Sequence, residues 1–123
     1  MERKRILRRL LRHDNSFIMI TTHVLDTARG APAARVPVDL DFFITGQGWR
    51  EAGHGLTNNE GRVLGFNEPP ATGVYRITFD VAAYMPHAFF PSIAVTFEVQ
   101  DPNEDYHVPL LLSPFGYTTY RGS

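Results

Sequence analysis

The amino-acid sequence predicts an all-β fold, a two-sheet, eight-stranded β-sandwich with one short helix, on three observations. From Phe17 onward apolar residues alternate with polar ones instead of recurring at helical spacing, the pattern of half-buried strands. The apolar runs are short and are separated by clusters of Gly, Pro, Asn and Asp, which terminate strands and supply turn geometry. Eight such runs fit within 123 residues, a length suited to one domain, and so many short strands in one domain pack as two sheets.

The elements follow in order. Residues 1–16 form a basic N-terminal arm ahead of a β domain spanning 17–123. In the arm, Ile6, Leu7, Leu10 and Leu11 fall at helical spacing with arginines between them. It reads as a solvated or loosely docked extension, with a short amphipathic helix against a membrane surface or a partner as the alternative. Strands are expected over residues 17–25, 36–45, 49–57, 62–66, 73–80, 92–100, 106–113 and 116–121, with turns at 28–32 and 58–61. Only Val81-Ala82-Ala83-Tyr84-Met85 has helical character, and Pro86 ends it because proline lacks the N–H that a continuing helix needs.

Composition narrows the function. A formal net charge of -1, from 12 basic and 13 acidic residues, lacks the basic excess of a nucleic-acid-binding domain and leaves small neutral or anionic substrates open. Without cysteine there is no disulfide framework, no thiol nucleophile and no Cys-ligated zinc. A reducing compartment suits such a chain, and a cytoplasmic location is expected. Arginine interrupts every apolar run of the arm, so no secretory signal is expected, and no segment is long enough to span a membrane.

Alternation also bears on assembly. Within residues 106–113, Val108, Leu110 and Leu112 face one side, while His107, Pro109, Leu111 and Ser113 face the other. Both faces are largely apolar. If the first set fills the core, Pro109 and Leu111 lie on a surface that a monomer would expose, and His107 lies among them. A subunit interface and a polar site would then coincide.

Four stretches together resemble the transthyretin-like family, specifically its hydrolase branch. They are Thr22-His23-Val24-Leu25-Asp26 with Arg29-Gly30 and Pro32-Ala33, Thr57 through Gly61-Arg62, Phe90-Pro91, and the run from Tyr106 to Tyr120-Arg121-Gly122-Ser123. Order and spacing match along residues 18–123. One departure is a short connection at Met85-Pro86-His87, where relatives carry a longer loop away from the motif residues.

The resemblance implies a transthyretin-like sandwich, a homotetramer built as a dimer of dimers with its site at a subunit interface, and no cofactor or metal. The implied activity is hydrolysis of 5-hydroxyisourate to 2-oxo-4-hydroxy-4-carboxy-5-ureidoimidazoline in urate degradation. The alternative is a transthyretin-type carrier that holds a small apolar ligand in the interface channel. Fold alone does not decide between them. His23, Arg62, His107 and the Tyr-Arg-Gly-Ser ending favour the enzyme.

As the resemblance implies, His23, Arg62, His107 and Ser123 are catalytic, and His23, Arg62 and Tyr120 bind substrate. A neutral imidazole is suited to take a proton from water, and which of the two histidines does so stays open. The Arg62 guanidinium offers a planar fork of donors to carbonyl oxygens and to a developing oxyanion. Tyr120 is expected to pack over the substrate and the Ser123 hydroxyl to hydrogen-bond within the site. Arg121 reads as structural. A zinc centre on His23, His107 and a carboxylate lacks any HxH or HExxH spacing, and His13, His54 and His87 read as surface residues.

Overall fold

The computed structural model describes residues 19–66 and 70–122, and among these residues nine strands and one helical turn make up the fold. The arm expected at 1–16, the first residues of the first expected strand and Ser123 lie outside the described residues. In chain order the elements are β1 (Ile20–Asp26), β2 (Ala31–Pro32), β3 (Pro37–Ile44), β4 (Gly48–Leu56), β5 (Arg62–Val63), β6 (Gly73–Asp80), α1 (Val81–Tyr84), β7 (Ser92–Val99), β8 (Tyr106–Leu112) and β9 (Tyr117–Thr119).

One sheet runs β2-β1-β8-β9, with β5 also paired to β1, and the other runs β4-β3-β6-β7. The pairs are antiparallel except β1 with β8, which is parallel. Each sheet turns one set of alternating side chains inward, as period two requires. Val24, Leu110 and Leu112 from one sheet meet Leu40, Ile77, Phe79 and Ile93 from the other, all at most 2% exposed. Burying one such side chain stabilises the fold by roughly 1.5–3 kcal/mol, so the double layer is held mainly by this apolar interior.

Three strand expectations change by more than a residue at either end. A ninth strand, β2, lies inside the expected turn at 28–32, where Ala31 and Pro32 pair with Asp26 and Leu25. The strand expected at 62–66 shortens to two residues, because β1 shares that edge between β5 at its middle and β2 at its end. The strand expected at 116–121 shortens to β9. Its register, Leu110↔Thr119 with Leu112↔Tyr117, sets Pro109 opposite Tyr120. Proline has no N–H to give the Tyr120 carbonyl, so the ladder breaks there and resumes as a single bridge between His107 and Gly122.

Two motif residues turn out to be architectural. The Asp26 carboxylate is buried and accepts from the Ala28 and Arg29 backbone N–H groups, each at 3.1 Å, and from the Tyr84 hydroxyl at 2.7 Å. Arg29 in turn donates to the Tyr84 oxygen at 2.8 Å, so the β1–β2 turn is tied to α1. Thr57, also buried, donates to the Ala33 carbonyl at 2.7 Å and accepts from the Val36 N–H at 2.9 Å. Helix α1 is capped by the Asp80 carboxylate on the Ala83 N–H and ends at Tyr84, one residue earlier than expected. Met85 turns extended there, the conformation that the following Pro86 favours.

Gly61 is the tightest backbone approach near β1. Its φ is 77°, its carbonyl accepts from the Val24 N–H at 2.7 Å, and a Cβ there would fall on the Val24 carbonyl oxygen. Gly61→Ala is expected to lower unfolding free energy by at least about 2 kcal/mol, combining left-handed strain with that clash. A urea midpoint unchanged from the native chain would contradict the packing described.

Candidate active site

The outer face of the β1–β8 pair gathers the polar side chains that the sequence singles out. In the parallel register Thr21 stands opposite His107, and His23 stands opposite Pro109. Side chains on opposed rungs share a face, and the buried Thr22, Val24, Val108 and Leu110 occupy the inner one. His23 and His107 are therefore neighbours on the outside of the sheet, both half-buried.

Arg62 reaches the same face from β5, where it pairs with His23. The turn before it is built by Asn58. The Asn58 side-chain oxygen accepts from the Glu60 N–H at 2.9 Å and the Arg62 N–H at 3.0 Å, and the Asn58 backbone N–H donates to the Arg62 carbonyl at 3.0 Å. Such an Asx turn fixes where the strand restarts. Gly61 then passes so close to His23 that a Cβ would stand 3.2 Å from its ring.

The electrostatics favour neutral imidazoles. Burial lowers the His23 pKa below the ordinary histidine value and the Arg62 guanidinium lowers it further, against an opposing hydrogen bond to the Glu60 backbone. The Glu60 N–H is already given to Asn58, so the group facing His23 is the Glu60 carbonyl, and the ring donates to it. Burial also lowers the His107 pKa, followed by the charge of Arg62 and then by His23. Arg62 thus bears on both rings. The His107 ring contacts Thr21, with Oγ1 at 2.8 Å from Nδ1.

The tail arrives as the short β8–β9 connection requires. The Gly122 N–H donates to the His107 carbonyl at 2.8 Å, and a Cβ on Gly122 would press on the His107 ring at 2.5 Å. Only glycine lets the tail lie so flat. Arg121 stacks over Tyr106 at 4.5 Å and pairs with Glu104 at 3.3 Å. Tyr120 is 55% exposed and stands at the rim of an apolar cavity of about 220 Å³, lined also by Val95, Phe97, Val108 and His107. Ser123 lies outside the described residues.

His23, Arg62 and His107 are thus brought together, with Gly122 of the tail against His107, whereas Tyr120 lines a cavity that includes His107 but neither His23 nor Arg62. His54 pairs with Glu51 on the exposed surface of β4, and His87 is exposed in the loop after α1. Among the described residues no three His, Cys, Asp or Glu side chains are grouped to hold a metal ion. Sequence reasoning missed Thr21 and the Glu60 carbonyl. Alternation places Thr21 on the His23 face, but only the register shows that it meets His107. Chemically, the arrangement offers two imidazoles biased toward the proton-accepting form and a fixed cation that can face an anionic oxygen.

The HIUase/Transthyretin family pattern matches residues 20–122. The chain is 44% identical to the uric acid degradation bifunctional protein TTL of Arabidopsis thaliana, over 85% of this chain and 37% of that protein. It spans little more than a third of that relative. It is 42% identical to the 5-hydroxyisourate hydrolase of Halalkalibacterium halodurans, over 85% of this chain and 97% of that protein. In structure it is similar to sea bream transthyretin solved with thyroxine, with a TM-score of 0.79 and 29% identity over 84% of this chain and 93% of that one.

Removing the cation without removing bulk tests the electrostatic picture. In Arg62→Gln, the NMR titration midpoints of both His23 and His107 are expected to rise toward the ordinary histidine value of about 6.5. Midpoints that stay put would place the guanidinium away from the rings.

Proposed function

The chain belongs to the HIUase/Transthyretin family, and we propose that it is a hydrolase that converts 5-hydroxyisourate to 2-oxo-4-hydroxy-4-carboxy-5-ureidoimidazoline in urate degradation. The observation that carries this reading is the convergence on one sheet face of two imidazoles biased to neutrality and one arginine that bears on both. The relative that carries the hydrolase name over nearly its whole length supports it.

The step is the opening of a cyclic ureide at a C–N bond. An imidazole takes a proton from water as the water oxygen attacks the carbonyl carbon. The C=O electron pair moves onto oxygen, where the charge faces the Arg62 fork. Collapse re-forms the carbonyl and breaks the C–N bond, and the imidazolium returns its proton to the departing nitrogen. Side chains supply each part, so the proposal includes no metal or cofactor. Tyr120 is assigned to packing over the planar substrate, and Ser123 to hydrogen-bonding within the site.

We place the site at a subunit interface of a homotetramer. Two features support this: the half-buried Leu25 and Leu111 share the outer face with the histidines, Pro109 on that face being already buried within one chain, and strands β7 and β9 each leave one edge unpaired among the described residues. Among the described residues no helix is long and apolar enough to cross a membrane, and the proposed location is the cytoplasm.

The direct test is the absorbance decay of freshly generated 5-hydroxyisourate with and without the protein, where equal decay would end the hydrolase reading. His23→Asn and His107→Asn are each expected to slow turnover by about 100-fold, the scale for losing a general acid–base group or a donor to the developing oxyanion. Arg62→Lys keeps the charge but loses the two-pronged geometry, and kcat/KM is expected to fall at least about tenfold with circular dichroism unchanged. Native kinetics in that variant would remove Arg62 from the chemistry. Because the lowered pKa values keep the imidazoles neutral, kcat/KM should hold above about pH 6.5 and fall only as acid protonates them.

A further inference from the structure

One polar side chain on the catalytic face has no part in the steps above. Thr21 lies two residues before His23 on β1 and shares its face, and the parallel register sets it directly across from His107. Its hydroxyl oxygen is 2.8 Å from His107 Nδ1, a part-buried contact between residues 86 apart in sequence. Both partners sit inside paired strands, so the contact joins two fixed backbones and not a loop to a strand.

A hydroxyl and a ring nitrogen share one proton along their axis, and two arrangements exist. Either the hydroxyl donates to an unprotonated Nδ1, or a protonated Nδ1 donates to the oxygen. Among the described residues the Thr21 hydroxyl has no other side-chain or backbone partner. Accepting from the ring would therefore leave its own proton without a protein acceptor in a part-buried position, whereas donating uses that proton and the ring lone pair together.

We propose that Thr21 is a positioning residue for the reaction: its hydroxyl donates to His107 Nδ1, fixes the ring plane, and holds neutral His107 as the tautomer with its proton on Nε2. His107 then presents an N–H to the substrate side of the sheet, where it can donate to the substrate or the developing oxyanion. The proton from water goes to His23, whose ring donates to the Glu60 carbonyl and keeps its other nitrogen free to accept. An orienting hydrogen bond on one nitrogen deciding what the other can do is the general way in which histidines are assigned a role. Thr21 touches neither substrate nor reacting atoms. The catalytic consequence rests on the hydrolase reading, but the tautomer does not.

Long-range proton–nitrogen correlation NMR on the full chain, uniformly labelled with nitrogen-15, reads the tautomer without any substrate. The native protein should show His107 Nδ1 unprotonated and Nε2 protonated. Thr21→Val keeps the branched shape of the strand residue and removes the hydroxyl. In that variant the His107 signals should become those of mixed tautomers, and its titration midpoint should rise. The rise follows because a bond donated to the ring lone pair favours the neutral form; Arg62 and His23, the charged and titratable groups bearing on the ring, are unchanged. With 5-hydroxyisourate, kcat should drop about five- to tenfold, the scale of one lost hydrogen bond, with KM nearly unchanged. Thr21→Ser should restore both the spectrum and kcat. A protonated Nδ1 in the native chain overturns the proposal even if Thr21→Val fails to fold, and so does a drop in kcat with no change at His107. If the native chain leaves 5-hydroxyisourate intact, the hydrolase reading falls while the NMR result still judges Thr21.

Discussion

The parallel pairing of β1 with β8 is the constraint on which the site depends, because it sets side by side two segments from opposite ends of the described chain. Strand side chains alternate with a period of two, so a one-residue slip of β1 would turn His23 into the core and push Thr22 out, and the same slip of β8 would do this to His107 and Val108. The register is pinned on the inner face by the Thr22 hydroxyl, which donates to the Val108 carbonyl at 2.5 Å. At the start of the pair, the Met19 N–H donates to the Asp105 carboxylate at 3.0 Å and the Tyr106 N–H donates to the Met19 carbonyl at 3.1 Å. The core and the histidine-bearing face are thus two sides of one hydrogen-bonded ladder.

Placing a cation beside two imidazoles works only while the imidazoles stay uncharged, and burial acts in the same direction as the arginine. The arrangement also couples the site to stability. Both folded-state pKa values lie below the ordinary histidine value, so the unfolded chain binds protons more readily. The stability contribution is complete above the ordinary value and is lost as pH falls from there through the lowered folded values. The site and the fold weaken together on acidification, each for want of a neutral ring.

Much of this was legible in the sequence. The alternation over Tyr106–Leu112 shows which face His107 takes, because faces follow from period two alone. The short β8–β9 connection shows that the tail must return beside His107. Register was not legible. Both β1 and β8 are alternating apolar runs, and periodicity assigns faces without assigning rungs, so the meeting of Thr21 with His107 cannot be read from the chain. Pro109 reads as an apolar residue that a monomer would expose, whereas it is buried within the chain, and its missing N–H, opposite Tyr120, is what ends β9. The two residues of β2 are too few to show a period, and Asp26 reads as part of a motif when its carboxylate is spent on the turn and on Tyr84.

The two sheets also differ in how far apart along the chain their partners lie. In β4-β3-β6-β7 each strand pairs with one that precedes or follows it closely in order, so this sheet can close as soon as its own residues are present. The β1–β8 ladder closes a loop of 86 residues, and the entropy of that closure falls due before its contacts can form. During synthesis, β1 leaves the ribosome long before its partner and must wait with an open edge, the kind of edge that invites wrong pairing. His23, made first, therefore meets His107 on the outer face only once β8 has emerged.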